Sequence, residues 1–331
     1  MKAVVMTSPG APEVLQVQQV ADPVIENDRE ILVRLKAAGV NPIDTKLRTR
    51  GTFFPDQKPA ILGCDGAGIV AEVGKNVENF QVGDEVYFCH SGIGATPGNY
   101  AELTVVDERF VAKKPSYLTF VEAAAAPLVL ITAWESLYDR GKLEAGRKVL
   151  IHGGAGGVGH VAIQLAKLQG TEVATTISSE EKADFVKSLG ADLAIFKNTN
   201  FVQAVLDWTN GEGVDLAFDT VGGKVFYDTI PAVKIYGDLV TILEPDTNLG
   251  NLKVARQRNL RIGLELMLTP MMKGLMEAQV DQANILQQCG RLFDQGKLKI
   301  HVNKTFALDD AIEAHRMLEA GSMVGKIVLT I

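Results

Sequence analysis

Five of the seven residues from 153 to 159 are glycines, and this run constrains the fold more than any other part of the sequence. It directly follows an apolar stretch, Lys148–His152, that predicts a buried strand. It leads into Gly157–Gln169, where apolar residues recur at helical spacing. A strand that turns this tightly into a helix needs residues without a Cβ atom, because only they tolerate the backbone angles and the close packing. The run therefore predicts a strand–turn–helix unit with an exposed backbone.

Three of these glycines, Gly153, Gly156 and Gly159, fit a G-x-x-G-x-x-G spacing. In a βαβ unit, such a turn lets the backbone approach a pyrophosphate, and the positive end of the helix attracts the anion. A glycine-rich turn with no ligand is the alternative, but it does not explain so many glycines together. The sequence thus predicts a dinucleotide-binding site formed by Gly153, Ala155, Gly156, Gly157, Val158 and Gly159.

The sequence from about residue 145 alternates between strand-like and helix-like stretches, which predicts parallel βαβ units in a doubly wound sheet. The predicted strands are Lys148–His152, Glu172–Ile177, Asp192–Phe196, Val214–Asp219 and Gly237–Ile242. Up to Pro115 the pattern is different, with short β-rich stretches separated by turns and one predicted helix, Asn41–Arg50. The tail mixes helices and strands. A chain of 331 residues has room for about two domains.

The composition limits the expected binding partners and the expected cellular location of the protein. The 40 acidic residues against 33 lysines and arginines give a formal charge of −7, so no nucleic-acid partner is expected. The three cysteines show no paired spacing, which argues against a disulfide framework. The longest apolar run, Ala123–Trp134, is too short to span a bilayer, and the N-terminus has no signal-like apolar segment. A cytoplasmic protein without membrane partners is expected.

The residues after the second strand of the alternating region bear on cofactor choice. NAD-specific folds place a carboxylate there to accept from the ribose 2′-hydroxyl, whereas Glu172–Ile177 ends without one. Ser178, Ser179 and Lys182 follow instead, and hydroxyls with a cation suit a 2′-phosphate. The alternative is that Ser179 only caps a helix; both roles are compatible, because a capped helix N-terminus also attracts anions. The sequence favours NADP over NAD, although two adjacent glutamates oppose the phosphate.

Several motifs are characteristic in combination: the cofactor loop within Gly146–Lys167, GCDGAGIVAEVG (63–74), FQVGDEV (80–86), DTVGG (219–223) and GKIVL (325–329). Together they resemble the medium-chain dehydrogenase/reductase superfamily, specifically its zinc-free quinone oxidoreductases related to ζ-crystallin. The loop departs from that subfamily at Gly154, where serine or alanine is usual. The resemblance implies an α/β protein with a GroES-like β-rich catalytic domain, residues 1–123 and 266–331. A doubly wound Rossmann NADP-binding domain with a parallel sheet is implied for residues 124–265, usually in a homodimer.

The resemblance also bears on metal binding. The family's catalytic zinc positions fall here at Asn41, at Cys64 with Asp65 following, and near Leu128. One thiol and one carboxylate do not make a tetrahedral catalytic site, so no metal is expected, and Cys64 is interpreted as a small buried apolar residue. A metal at Cys64 and Asp65, with Asn41 or His90 nearby, is the alternative.

Without a Lewis acid, hydride transfer suits acceptors that stabilise their own developing charge, such as quinones and α,β-unsaturated carbonyls. The resemblance therefore implies an NADPH-dependent, zinc-independent quinone oxidoreductase. The alternatives are a 2-alkenal or enoyl reductase, a zinc-type alcohol dehydrogenase, and a catalytically silent NADPH-binding or RNA-binding protein.

The resemblance assigns further site residues. Asn41 and Thr132 are expected near the nicotinamide, and Tyr87 is a candidate substitute proton donor, with a half-buried strand tyrosine as the alternative. Phe53 and Phe54 are expected to line the substrate pocket, Phe53 standing where many relatives carry a tyrosine. The remaining expected cofactor contacts are Lys197, Val221, Gly222 and Lys326.

Overall fold

The computed structural model describes residues 1–57 and 59–331. They form two compact units. The first unit comprises Met1–Leu128 and Leu268–Ile331, and the second comprises Val129–Met267. The division expected from the sequence placed these boundaries after residues 123 and 265. No described helix is long and apolar enough to cross a membrane.

Sixteen strands lie within the described residues: β1 (Lys2–Met6), β2 (Leu15–Gln19), β3 (Glu30–Val40), β4 (Ala60–Ile61), β5 (Asp65–Val73), β6 (Glu85–Cys89), β7 (Leu103–Asp107), β8 (Ala112–Lys113), β9 (Lys148–Ile151), β10 (Glu172–Ile177), β11 (Leu193–Phe196), β12 (Val214–Asp219), β13 (Val233–Thr241), β14 (Arg261–Leu264), β15 (Val302–Ala307) and β16 (Lys326–Thr330). The α-helices are α1 (Pro42–Arg50), α2 (Phe120–Ala125), α3 (Pro127–Trp134), α4 (Gly157–Leu168), α5 (Glu180–Ser188), α6 (Phe201–Trp208), α7 (Lys224–Thr229), α8 (Lys253–Gln257), α9 (Thr269–Lys273), α10 (Met276–Asp294) and α11 (Ala311–Ala320).

The first unit is built on a seven-stranded, mostly antiparallel sheet. Its strand order is β15-β16-β3-β5-β6-β8, and β7 also pairs with β3; a second sheet has the order β2-β1-β4. Alternate residues of β3 (Ile31, Val33 and Leu35) are buried in a core with Val70 of β5. This period of two is what places one face of a strand inside and the other outside. The long β3 thus forms the centre of the unit.

The second unit is a six-stranded parallel sheet with the order β11-β10-β9-β12-β13-β14. The strand order reverses between β9 and β12, and in open α/β sheets ligands bind at the carboxyl ends of the strands at such a point. The glycine run follows β9, so it lies at this position. The predicted α/β class with a doubly wound parallel sheet is confirmed.

Two differences from the predicted elements have clear causes. Helix α10 begins at Met276, whereas the sequence predicts its start at Gln282. The prediction missed the first turns because their side chains are exposed or half-buried and show no apolar periodicity. Strand β14 was not predicted, because four residues with partly exposed side chains at a sheet edge give no alternating signal. This strand forms one outer edge of the parallel sheet.

Candidate cofactor and active site

The loop after β9 has the backbone conformation that its glycines predict. Gly153 lies at φ 67°, a region that L side chains rarely adopt. Gly156 precedes α4, and no side chain caps the helix, so the first N–H groups of the helix have no side-chain partner. A Cβ on Gly159 would lie 2.2 Å from the Gly153 carbonyl oxygen, which excludes any larger residue. The loop therefore presents free amides at a helix N-terminus, the arrangement that fits a pyrophosphate.

The neighbouring strand supports this loop through two threonines that the sequence analysis did not single out. The Thr176 hydroxyl accepts from the Gly153 N–H at 3.1 Å, and the Thr175 hydroxyl donates to the Ile151 carbonyl at 2.6 Å. A Cβ on Gly154 would lie 2.1 Å from the Thr175 oxygen. Thr175 thus fills the space that the related proteins' serine or alanine side chain would occupy. The sequence feature that could have predicted these contacts is the pair of adjacent threonines in the strand that pairs with β9.

The residues predicted for the 2′-phosphate lie together at the carboxyl ends of β10 and β11. These strands are parallel, with Ile177 opposite Phe196, so the segments that follow them start side by side. Ser179 caps α5 and accepts from the Lys182 N–H at 3.4 Å. Lys182 is half-buried, Ser178 and Lys197 are exposed, and no described carboxylate pairs with either ammonium. This end of the sheet is thus chemically suited to an added phosphate.

The loop after β12 is held by the carboxylate of Asp219, which is fully buried. Asp219 accepts from the N–H groups of Val221 and Gly222, both at 2.9 Å. Val221 is 49% exposed and Gly222 lies at φ 72°. Thr132, expected near the nicotinamide, is buried on α3 in the same unit. The structure shows where Val221, Gly222 and Thr132 lie, and their predicted contacts with the cofactor stay proposals.

In the first unit, three sheet strands bring a buried polar group together. Ile327 of β16 lies opposite Val40 of β3, and Asp65 of β5 lies opposite Gly39. The residues next to these positions therefore meet at one end of the sheet, although they come from distant parts of the chain.

The group consists of Asn41, Asp65 and Lys326, all at most 3% exposed. The Asn41 amide nitrogen donates to Asp65 Oδ2 at 2.9 Å, and its oxygen accepts from the Lys326 ammonium. That ammonium also donates to the Val40 carbonyl at 3.3 Å and lies 3.9 Å from Asp65 Oδ2. Asp65 Oδ1 accepts from the Leu128 N–H at 2.8 Å. Both the nitrogen and the oxygen of the Asn41 amide thus have a partner, and the orientation of the amide is determined.

Burial governs the titration of this group. It raises the pKa of the Asp65 carboxyl and lowers the pKa of the Lys326 ammonium, while the attraction between the two opposes both shifts. An ammonium beside a carboxylate, each with further hydrogen bonds, is the form in which a buried ion pair is tolerated.

The residues at the family's zinc positions do not fit a zinc ion. Asn41 and Asp65 are already bound to the Lys326 ammonium, whose charge would repel a second cation. Although the hydrogen bond with the Cys89 thiol lowers it, burial and the nearby carboxyls of Asp44 and Asp65 raise the pKa of the Cys64 thiol overall, whereas zinc takes a thiolate. Within residues 1–57 and 59–331, no three His, Cys, Asp or Glu side chains are grouped to hold a metal.

Phe53 and Phe54 follow α1 in a loop where both rings are half-buried. The Phe53 N–H donates to the Ile93 carbonyl at 3.1 Å, which fixes the start of the loop. Their part in a substrate pocket stays a prediction.

Tyr87 requires a correction. Its side chain is fully buried in the first unit, and its hydroxyl donates to the backbone carbonyl of Leu286 on α10. Burial raises the pKa of this phenol well above its usual value. A tyrosine whose proton is committed to a core carbonyl does not serve a substrate, so Tyr87 is a packing residue. The alternative interpretation, a strand tyrosine, is nearer to the structure, although the side chain is fully buried and not half-buried.

Comparison with known proteins agrees with this architecture. The alcohol dehydrogenase GroES-like domain family matches residues 27–116, and the zinc-binding dehydrogenase family matches residues 189–329. A quinone oxidoreductase of Pseudomonas aeruginosa is 33% identical over 97% of this chain and 96% of its own. The chain belongs to the medium-chain dehydrogenase/reductase superfamily and is quinone oxidoreductase-like.

Two further members place this chain within the superfamily. A 2-methylene-furan-3-one reductase of Solanum lycopersicum is 34% identical over 99% of this chain and 79% of its own. The Escherichia coli quinone oxidoreductase, solved in complex with NADPH, superposes with a TM-score of 0.86 at 28% identity, covering all of both chains. These relatives support an oxidoreductase that uses a nicotinamide cofactor.

Proposed function

We propose that the protein is an NADPH-dependent, zinc-independent oxidoreductase that transfers hydride to quinones or related conjugated carbonyls. The observation that carries this proposal is that β10 itself ends without a carboxylate, that Ser179 and Lys182 follow it, and that Lys197 follows the paired strand β11. Glu180 and Glu181 in the first turn of α5 oppose a phosphate there. A ribose 2′-hydroxyl lacks its usual acceptor there, whereas a 2′-phosphate gains hydroxyl and cationic partners.

The second unit is proposed to hold the cofactor along the carboxyl edge of its sheet. The backbone N–H groups of Gly157 and Val158, in the uncapped first turn of α4, would bind the pyrophosphate, with Gly156 allowing its close approach; the Gly156 N–H itself donates to the Gly153 carbonyl at 2.9 Å. Ser178 and Lys182 would bind the 2′-phosphate. Bound NADPH would supply the hydride, and the protein would supply orientation and charge.

The first unit is proposed to provide Asn41 and Lys326 to the reducing site. Hydride added to a quinone or an enone leaves negative charge on an oxygen, and an ammonium held without solvent is a strong partner for such charge. Lys326 is a cation that the chain carries itself, where zinc-dependent relatives would use a metal. Phe53 and Phe54 would provide the apolar lining that a conjugated carbonyl compound needs.

The test is a panel of acceptors with NADPH, followed by its absorbance. We expect turnover with 1,4-naphthoquinone and none with ethanol in the NADP direction. Lys182→Ala should weaken NADPH binding roughly five- to tenfold, the effect of losing one half-exposed charged contact, without changing NADH binding. Lys187→Ala on the same helix is the matched control. If NADH bound as tightly as NADPH and Lys182→Ala had no effect, the choice of NADP would be wrong.

A reductase of 2-alkenals or enones is the second candidate, because the reductase from Solanum lycopersicum acts on a compound named as a methylene-furanone and is similar over the whole chain. Comparing kcat/KM for naphthoquinone with that for 2-hexenal separates the two. A ratio above one favours the quinone, and a ratio below one favours the alkenal.

A further inference from the structure

A set of polar side chains, all buried except that of Glu319, connects helices α1 and α11 within the first unit and is called the polar chain below. Asp44 and Arg48 lie one turn apart on α1, and His315 and Glu319 lie one turn apart on α11. The Arg48 guanidinium pairs with the Glu319 carboxylate. The Tyr100 hydroxyl lies between the other two, 2.9 Å from Asp44 Oδ2 and 3.3 Å from His315 Nε2. Helix α1 and helix α11 are thus joined by two polar contacts, one direct and one through a tyrosine.

The direction of each hydrogen bond in the polar chain follows from Asp44, whose carboxylate can only accept. Asp44 Oδ2 accepts from the Asn41 N–H at 2.8 Å and also from the Tyr100 hydroxyl. Tyr100 has then given its only proton, so its oxygen accepts from His315 Nε2–H, and His315 is the tautomer with an unprotonated Nδ1. Burial and the nearby Arg48 guanidinium lower the pKa of His315 to about 3, which keeps the ring neutral. His315 therefore donates to Tyr100 and Tyr100 donates to Asp44, which also accepts from the Asn41 N–H.

This cluster keeps an unusual number of polar atoms without partners. Four of the seven buried side-chain polar atoms that lack a hydrogen bond in the described residues belong to it: Asp44 Oδ1, Arg48 Nε and Nη1, and His315 Nδ1. Buried polar atoms without partners are costly and rare, so each calls for an explanation such as a catalytic role or a bound water. Packing two helices together would be served better by apolar residues.

We propose that Tyr100 and His315 are positioning residues for the reducing site. They hold Asp44, Asp44 holds the backbone N–H of Asn41, and the Asn41 amide holds the Lys326 ammonium. A shift of Asp44 displaces Asn41 at the start of α1 and moves the ammonium with it. The inference rests on the proposed function, because only that proposal assigns Asn41 and Lys326 to the reaction.

The test uses the full-length protein with NADPH and 1,4-naphthoquinone. Tyr100→Phe keeps the ring that packs against Gly63 and removes the hydroxyl. We expect kcat to fall roughly tenfold, since small misplacements of reacting groups have effects of this order or larger. The dissociation constant of NADPH, read by cofactor fluorescence, should change less than about threefold, because most of the proposed cofactor contacts lie in the second unit. Tyr87→Phe is the control, because it removes an equally buried hydroxyl that is not part of the polar chain, and it should leave kcat within about twofold of the wild-type value.

A second pair of variants keeps the test valid if Tyr100→Phe does not fold. His315→Gln retains a nitrogen donor for the Tyr100 oxygen, and His315→Leu does not. The positioning role requires the glutamine variant to regain most of the kcat that the leucine variant loses. Equal kcat for the two, or a Tyr100→Phe enzyme as fast as wild type, would overturn it and leave the proposed function intact. A wild-type protein that binds NADPH but reduces no acceptor would overturn the proposed function itself.

Discussion

Replacing Gly154 by alanine is expected to destabilise the second unit through one specific contact. The new Cβ would lie 2.1 Å from Thr175 Oγ1 and 2.9 Å from Ile163 Cδ1. Ile163 can move the end of its flexible side chain. Thr175 cannot move freely, because it is fully buried and its hydroxyl donates to the Ile151 carbonyl at 2.6 Å.

The size of the effect follows from the two ways in which the contact can relax. Overpacking a tight core costs about 1–3 kcal/mol, and rotating Thr175 away takes its buried hydroxyl from the carbonyl that it donates to, which costs about 1–3 kcal/mol. At about 2–4 °C per kcal/mol for a domain of this size, either way of relaxing should lower the melting temperature by roughly 2–12 °C. Circular dichroism melts of the purified protein measure this shift.

A double-mutant cycle attributes the effect to Thr175. Thr175→Ala removes the oxygen that the new Cβ meets, so Gly154→Ala should cost less than about 1 kcal/mol in that background. Thr175→Val is the control, because it removes the hydrogen bond but keeps a group at the same place, and there the penalty should persist. Additive effects in the alanine background, or a Gly154→Ala protein as stable as wild type, would refute the role given to Thr175.

Three further outcomes are expected. Burial lowers the pKa of His152 to about 4, so at pH 5 His152 is neutral in the folded protein and protonated in the unfolded chain. The folded protein therefore loses stability as the pH falls below about 6.5. Between pH 7.5 and pH 5, the free energy of unfolding measured in urea should fall by about 2 kcal/mol less for His152→Gln than for the wild type. Strand β14 forms an outer edge of the parallel sheet, and its last residue, Leu264, is 61% exposed, so the expected homodimer should form there. Light scattering should show a dimer that Leu264→Lys converts to a monomer, and a monomeric wild type would contradict this. Elemental analysis of the purified protein should find well under one zinc per chain, with activity unchanged by a chelator, because Lys326 already binds Asn41 and Asp65; stoichiometric zinc with chelator-sensitive activity would show that interpretation to be wrong.

The parallel sheet and its glycine loop could be predicted because their signals are local. Gly153, Gly156 and Gly159 stand within seven residues, and each strand and helix of the second unit shows its own periodicity. The cap at Ser179 was likewise visible, because a capping side chain acts on a backbone N–H three residues away. Short edge elements such as β14 were missed, since they have too few buried residues to show a period.

The candidate site in the first unit depends instead on contacts between distant residues. Asn41 meets Asp65 across 24 residues and Lys326 across 285, and Tyr87 gives its proton to a carbonyl 199 residues away. No spacing rule reaches that far. The sequence by itself determined the class of fold and the loop that fits a dinucleotide, because helices, strands and tight turns are set by neighbouring residues. Only the tertiary structure decided which polar groups are paired and which proton is committed, because strand register brings those groups together, and register depends on how the whole sheet buries its apolar face.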